Sequence, residues 1–325
     1  MLEATAISPA GRISPFDAGI WSDSQLSGPY GLKSLVSFAH SLNTKVGIQL
    51  SHAGRKSSMC PDFVARTPKI VPVEECGWED DVRSASSLRY GNGYPTPKEM
   101  TVEEIETVKT AYKTGARRAA HAGFDVIEIQ AAHGYLLHNF LSPVSNIRTD
   151  KYGGCFENRF RLLLEVVAIV RSEIPEEMPL FVRISATEWL DNHLSWEGEE
   201  TWVLQDSIRI SLLLADLGVD VLDVSSGGNH PDQQITSGLG YQVGFAKAIK
   251  EALAMNGKTM LVQAVGMIRS GIQAESVLTG EGESSMGKQE LDLVAVGYEF
   301  LMNPGLVFGW ARELGVEVSV VKQMT

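Results

Sequence analysis

The sequence has few cysteines, no excess of basic residues and no long apolar run. Three cysteines occur in 325 residues, Cys60, Cys76 and Cys155, too few and too scattered for a disulfide framework or a zinc site. Lys and Arg number 28 against 40 Asp and Glu, and the formal net charge of −12 argues against nucleic acid or an anionic membrane as partner. We therefore expect a protein of a reducing compartment with neither of these partners.

Targeting and nucleotide-binding signatures are also missing. Residues 1–12 contain no basic stretch followed by an apolar one, so they do not resemble a secretory signal. No apolar run approaches the roughly 20 residues that a helix needs to cross a bilayer. No G-x-G-x-x-G motif opens a helix after the first strand, which argues against a Rossmann fold. A cytoplasmic protein is the expectation.

Short apolar runs rich in β-branched residues alternate with helical patterns along the chain. The helical patterns cover residues 101–122, 157–174 and 199–217, and Thr101 with Glu104 predicts a capping box at the first. Strands that are apolar throughout and alternate with helices predict a parallel sheet covered by helices. The predicted strands are residues 2–7, 45–50, 124–129, 179–185, 219–225, 259–265 and 291–297.

Polar or glycine-rich loops follow most of these strands. Functional residues at the carboxyl ends of many strands are typical of a (β/α)8 TIM barrel. Six strands are clear and the first is a fragment, so we predict an α/β TIM barrel that is N-terminally truncated, with about seven of eight strands. Residues 1–325 are predicted to form one domain, with a long capping loop at about 51–100.

Four residues at the predicted strand ends indicate a bound heterocycle with a phosphate. Gln49 offers a primary amide that can both donate and accept, and Arg183 is a cation inside an apolar strand, where it should meet an anion. Gly266 and Gly297 follow the last two strands, where barrel enzymes often hold phosphate. Taken singly, a core amide, a structural ion pair and tight turns are the commoner explanations, but together the four favour such a cofactor.

The stretch EIQAAHGYLLHNFLSP, residues 128–143, turns from a buried strand into a cluster of polar side chains. Gln130, His133 and Tyr135 place an amide, an imidazole and a phenol within six positions. Metal binding by His133 and His138 is an alternative, but a spacing of five does not put two ligands on one helix face. A ligand-binding role for the three side chains is the preferred interpretation, and no metal is expected.

Longer motifs resemble the Old Yellow Enzyme family of FMN-dependent ene-reductases, in the branch found in bacteria and filamentous fungi. The most specific stretch is AAHGYLLHNFLSPVSNIRTDKYGGCFENRFR at 131–161. Residues 11–14 (GRIS), 47–56 (GIQLSHAGRK) and 180–189 (LFVRISATEW) match as well. The resemblance runs from residue 2 to about residue 320.

The resemblance implies a two-step reaction in which NADPH or NADH passes hydride to FMN, and hydride then reaches the β-carbon of an α,β-unsaturated carbonyl. It implies that Tyr135 protonates the α-carbon. It also implies enone or quinone substrates, a role in secondary metabolism and a homo-oligomer. The implied cofactor-binding residues are Ala4, Gln49, Arg183, Gly266, Gly297 and Tyr298, and the implied catalytic and substrate-binding residues are Gln130, His133 and Tyr135.

Three departures from the family leave alternatives open. The family's first strand would precede residue 2, Gln130 replaces a histidine, and Tyr298 replaces an arginine that pairs with the phosphate. A lost charge-assisted phosphate contact costs ~1.5–3 kcal/mol. Arg55, Lys56 and Arg269 are the candidates to compensate. The alternative functions are a degenerate, non-catalytic barrel and a redox-neutral flavin-dependent isomerase.

Overall fold

The computed structural model describes residues 1–61, 63–65, 67–191, 193–280 and 290–319. The strands in these ranges are β1 (Leu2–Ala6), β2 (Gly47–Ser51), β3 (Arg83–Ser84), β4 (Lys98–Glu99), β5 (Val126–Ala131), β6 (Leu180–Ser185), β7 (Val221–Ser225), β8 (Leu261–Val265) and β9 (Leu293–Ala295). The α-helices are α1 (Leu32–Ser41), α2 (Val102–Ala122), α3 (Leu136–Leu141), α4 (Phe156–Glu173), α5 (Leu204–Asp216), α6 (Val243–Met255), α7 (Gly271–Thr279), α8 (Tyr298–Met302) and α9 (Leu306–Glu313).

Seven strands form one curled parallel sheet in the order β1-β2-β5-β6-β7-β8-β9. The order follows the chain, and helices on the outside connect successive strands, which is the winding of a β/α barrel. The predicted α/β barrel with seven strands is therefore confirmed. β1 and β9 form the two edges of the sheet, and no hydrogen-bonded pairing between them occurs in the part of the chain described here.

Helix α2 shows how local sequence sets the limits of an element. The Thr101 side chain accepts a hydrogen bond from the Glu104 amide, and the Glu104 carboxylate accepts one from the Thr101 amide, 2.8 Å away. The helix ends at Gly123, whose φ of 91° suits a residue without a side chain. The predicted capping box is confirmed.

In the described ranges, no helix combines the length and apolar character that crossing a lipid bilayer requires.

The main core lies between the sheet and the outer helices. The strand side chains Ile127, Val182 and Leu222 are fully buried. Trp202, just before α5, is also fully buried, and its indole N–H donates to the Ser185 carbonyl at the end of β6, 2.7 Å away. Because that bond ties the loop after β6 to the core, the carboxyl end of this strand has a fixed position.

The described residues of the segment 51–100 (51–61, 63–65 and 67–100) are folded against the barrel around the small β3–β4 sheet. Arg148 holds this segment in place, because its guanidinium donates to the Ala85 carbonyl at 3.0 Å and to the Met100 carbonyl at 2.7 Å. The same guanidinium pairs with Asp150. The segment thus has its own buried anchors. Its predicted role as a cap over the site stays a prediction.

Candidate active site

A cavity of about 830 Å³ opens at the carboxyl ends of the seven strands. Side chains and loops from β1, β2, β5, β6, β7, β8 and β9 contribute to its wall. The nine residues that the sequence predicted as cofactor-binding, substrate-binding or catalytic all line this one cavity: Ala4, Gln49, Gln130, His133, Tyr135, Arg183, Gly266, Gly297 and Tyr298. Parallel strands bring their carboxyl ends to one edge, so residues far apart in the chain meet there.

Gln49 is the centre of the polar network on one side of the cavity. Its amide nitrogen donates to Glu128 Oε1 at 2.6 Å. Its amide oxygen accepts from the Ala4 backbone N–H at 3.2 Å and from Gln130 Nε2 at 3.3 Å. The register of β2 against β5, which places Gln49 beside Glu128, produces this contact. The amide is therefore held in one orientation.

Arg183 forms an ion pair, as we predicted for a cation inside an apolar strand. Its Nε lies 2.7 Å from Asp223 Oδ2, and the two residues are register partners on β6 and β7. Burial alone would lower the pKa of Arg183, but Asp223 and Glu128 outweigh it and raise the pKa above its ordinary value. The guanidinium is a permanent cation in the cavity wall.

Glu128 is the buried acid of this network. Burial is the main cause that raises its pKa, the neighbouring Asp223 carboxylate adds to it and Arg183 opposes both, and together they give a pKa of about 7. Near neutral pH the carboxyl is thus part protonated. The polar wall formed by Gln49, Glu128, Arg183 and Asp223 is called the amide–guanidinium wall below.

His133 and Tyr135 lie on the loop between β5 and α3. His133 has a φ of 59°, in the left-handed region, and its backbone N–H donates to Ser185 Oγ at 2.9 Å. Its Nε2 lies 2.7 Å from Ser225 Oγ. Burial, which is the largest cause, and the nearby cations Arg183 and Lys56 together lower the pKa of His133 to about 3. The imidazole is therefore neutral at physiological pH.

Two side chains outside the cavity hold this loop. Lys56 donates to the carbonyls of His133, at 2.9 Å, and Gly228, and its ammonium lies 4.0 Å from the centre of the Tyr90 ring. Asn139 donates to the Gly134 carbonyl at 2.9 Å. A non-glycine residue with positive φ is strained, so these bonds maintain the conformation that His133 needs.

Gln130 is engaged with its neighbours. One of its amide hydrogens is given to Gln49, and its oxygen accepts from the Ala132 backbone N–H at 3.1 Å. A primary amide has two donor hydrogens, so one remains for a ligand. Gln130 thus links the loop after β5 to the amide–guanidinium wall.

The opposite end of the cavity is formed by the loops after β8 and β9. Gly266, with a φ of 112°, and Gly297 lie there together with Tyr298. A side chain at Gly297 would meet open space, so its backbone is accessible. Arg269 and Glu299 line this end as well, with Nε and Oε1 3.6 Å apart. Arg55 and Lys56, two of the three basic residues considered from the sequence, lie outside the lining.

Comparison with known proteins shows the family. A profile of the NADH:flavin oxidoreductase / NADH oxidase family matches residues 1–316. The chain belongs to this family. The predicted Old Yellow Enzyme family, the class of NAD(P)H oxidoreductase and the cofactors FMN and NAD(P)H are thereby confirmed.

Individual relatives agree with this assignment. The chain is 46% identical over 329 residues to an NADH:flavin oxidoreductase from Gibberella zeae, covering all of this chain and 76% of the relative. It is 41% identical to an NADPH dehydrogenase from Geobacillus thermodenitrificans, covering 99% of this chain and 82% of that one. A structure of morphinone reductase in complex with tetrahydroNAD is 25% identical with a TM-score of 0.69, covering 98% of this chain and 78% of the other.

The cavity of this oxidoreductase fits FMN by volume and by the chemistry of its donors. Its volume lies within the ~300–1,000 Å³ typical of cofactor and ligand pockets. The Gln49 amide and the Arg183 guanidinium suit the polar edge of a flavin ring, and the accessible backbone at Gly297 suits a phosphate. Within the described ranges, no group of three or more His, Cys, Asp and Glu side chains could hold a metal ion.

Sequence reasoning missed four acidic residues of the site. Glu3, Glu128, Asp223 and Glu299 all line the cavity. The argument that selected Arg183, a charge inside an apolar strand, applies equally to Glu128 in VIEIQA and to Asp223 in VLDVS. For Glu299 the sequence has no comparable signal, because it lies in the first turn of a short surface helix.

Proposed function

We propose that this oxidoreductase is an ene-reductase, which uses NAD(P)H to reduce the activated C=C bond of an α,β-unsaturated carbonyl compound. FMN, when bound, supplies the chemistry of accepting hydride from the reduced nicotinamide and giving hydride to carbon. Each turnover consumes one NAD(P)H and one proton and yields the saturated carbonyl compound and NAD(P)+. The observation that supports this most is the convergence of Gln130, His133 and Tyr135 on the cavity that also contains Gln49 and Arg183.

Tyr135 is the proposed proton donor. Its phenol can deliver a proton from its hydroxyl oxygen to the α-carbon, since it lines the cavity beside the two proposed carbonyl ligands. Substrate contact is proposed for Gln130 Nε2, which has one hydrogen left, and for the neutral imidazole of His133. Negative charge grows on the carbonyl oxygen as hydride arrives, so fixed donors there stabilise the transition state more than the ground state.

The neighbours of His133 support a proposal for its tautomer. Ser225 Oγ lies 2.7 Å from His133 Nε2 but 3.3 Å from Gln242 Oε1, and Ser226 Oγ already donates to that oxygen. We propose that Ser225 donates to Nε2, which leaves Nδ1–H as the donor of the ring. The low pKa agrees with a neutral ring, which accepts at one nitrogen and donates at the other.

The test compares Tyr135→Phe with the unchanged chain, both loaded with FMN, using NADPH and 2-cyclohexenone under anaerobic conditions. Loss of the proton donor should slow formation of the saturated ketone by about 10²–10⁴-fold and leave the rate at which NADPH reduces the flavin unchanged. Tyr30→Phe is the matched control, because Tyr30 is fully exposed. Equal ketone formation by Tyr135→Phe would remove Tyr135 from the mechanism. A folded, flavin-loaded protein that forms no ketone would refute the ene-reductase proposal.

A further inference from the structure

The end of the cavity formed by the loops after β8 and β9, where we expect the FMN phosphate, has few cations. Among the described residues, two arginines line the cavity, Arg183 and Arg269. Arg183 belongs to the amide–guanidinium wall through its ion pair with Asp223. Arg269 is therefore the cation on the side where Gly266 and Gly297 lie.

The other basic candidates are committed elsewhere. Arg55 donates to the carbonyls of Leu88, at 3.3 Å, and Asn229, and its side chain is buried behind the cavity wall. Lys56 donates to the His133 and Gly228 carbonyls. Moving either cation to a phosphate would leave buried carbonyl oxygens unpaired, which is costly.

Arg269 already forms an ion pair with Glu299, which lines the same end of the cavity. It lies in the loop between β8 and α7, and Glu299 lies in the first turn of α8, so their 3.6 Å ion pair joins the loops after the last two strands. The Arg269 side chain is about half exposed and that of Glu299 about a quarter. A partly exposed pair is weak, so a phosphate dianion can compete for the guanidinium.

We propose that Arg269 is the cation that binds the FMN phosphate in this chain, and that Glu299 competes with the phosphate for it. The guanidinium turns from the Glu299 carboxylate toward the phosphate oxygens, where its planar fork can make two parallel hydrogen bonds. Glu299 then faces the phosphate as a like charge. The acid therefore weakens FMN binding but leaves binding of riboflavin, which has no phosphate, unaffected. This inference rests on the FMN cofactor and is independent of the ene-reductase reaction.

Equilibrium binding of FMN and of riboflavin to the flavin-free protein, followed by flavin fluorescence, tests the inference. Arg269→Ala should weaken FMN binding about tenfold and change riboflavin binding less than about twofold. Glu299→Gln should strengthen FMN binding about threefold without an effect on riboflavin. The double variant Arg269→Ala/Glu299→Gln should bind FMN better than Arg269→Ala alone, because the uncompensated acid is gone.

Arg209→Ala is the matched control, since Arg209 also forms a half-exposed ion pair, with Glu157, outside the cavity. It should bind both flavins like the unchanged chain. Equal effects of Arg269→Ala on FMN and riboflavin, or no effect on FMN, would overturn the role of Arg269. Weaker FMN binding by Glu299→Gln would overturn the competition. If the unchanged chain bound neither flavin, both this inference and the cofactor assignment would be refuted.

Discussion

The two sides of the barrel differ in burial, and the cavity spans both. In β5 and β7 the side chains Ile127, Ile129 and Leu222 have no exposed surface. At the other side, every residue of β9 is only partly buried, and Leu261 at the start of β8 is 41% exposed. β9 and β1 each have a single neighbour in the sheet, which explains why their surfaces remain accessible in the part of the chain described here.

The ring and the phosphate of the cofactor would therefore be bound in surroundings that differ in exposure to water. The amide–guanidinium wall lies on the buried side, where charges interact strongly and unpaired groups are costly. Arg269 and Tyr298 lie on the exposed side, where water and salt weaken each contact. The flavin ring should therefore be positioned firmly and the phosphate held loosely.

Removal of the Arg183 cation, the counter-charge of two buried acids, should have the largest effect. Arg183→Met leaves Asp223 and Glu128 without their counter-charge, so we expect a loss of ~3–5 kcal/mol in the free energy of unfolding. Chemical denaturation measures this loss. Arg209→Ala, which removes an exposed pair, should cost less than ~1 kcal/mol. Similar losses for the two variants would contradict the contrast between the sides.

A pair of leucine substitutions tests apolar packing in the same way. Leu222→Ala creates a cavity under the sheet and should lower the free energy of unfolding by ~2–5 kcal/mol. Leu301→Ala, at a residue of α8 that is 82% exposed, should change it by no more than ~0.5 kcal/mol. A large loss at Leu301 would mean that α8 packs against a further surface in solution.

The pH dependence of stability reports on the buried acid. The folded-state pKa of Glu128 is about 7, above its ordinary value of 4.5, so its ionisation opposes folding and stability falls as pH rises between these values. Relative to the unchanged chain, Glu128→Gln should gain on the order of 2 kcal/mol between pH 5 and pH 8. Thermal unfolding at both pH values measures the gain.

Glu103→Gln is the comparison variant, for which the effect of pH on stability should have the opposite sign. The pKa of Glu103 is lowered by hydrogen bonds with its own backbone and Thr101, so its charge favours folding at neutral pH and the variant should not gain stability as pH rises. A parallel response of the two variants would show that Glu128 is not in a buried, acidic surrounding.

The smallest expected effect concerns the loop that presents the substrate ligands. Lys56→Met removes the donor to the His133 and Gly228 carbonyls, and we expect kcat/KM for an enone to fall about tenfold while FMN affinity stays the same. Lys113→Met is the control, because Lys113 pairs with Glu173 on the outer helices. Reduced FMN binding by Lys56→Met would place this lysine at the cofactor instead.

The sequence alone was sufficient to predict the seven-stranded sheet and nine of the residues that line the cavity. Each of the seven predicted strands contains or overlaps the observed one; residues 124–129, for example, overlap Val126–Ala131. The reason is that parallel β/α units repeat one local pattern, so apolar runs and helix caps locate them without tertiary information. Gln49, Arg183 and Tyr135 were found because polar residues at such strand ends stand out against their apolar surroundings.

Tertiary structure alone determined how these residues are paired. That Gln130 is bonded to Gln49, that Arg183 faces Asp223, and that Arg269 is held by Glu299 depends on strand register and on loops that meet across the barrel. These contacts join residues that are 81, 40 and 30 positions apart, respectively. Local propensity carries no information about such distances in the chain. The sequence determined which groups reach the cavity, and the three-dimensional fold determined which of them are free to bind a ligand.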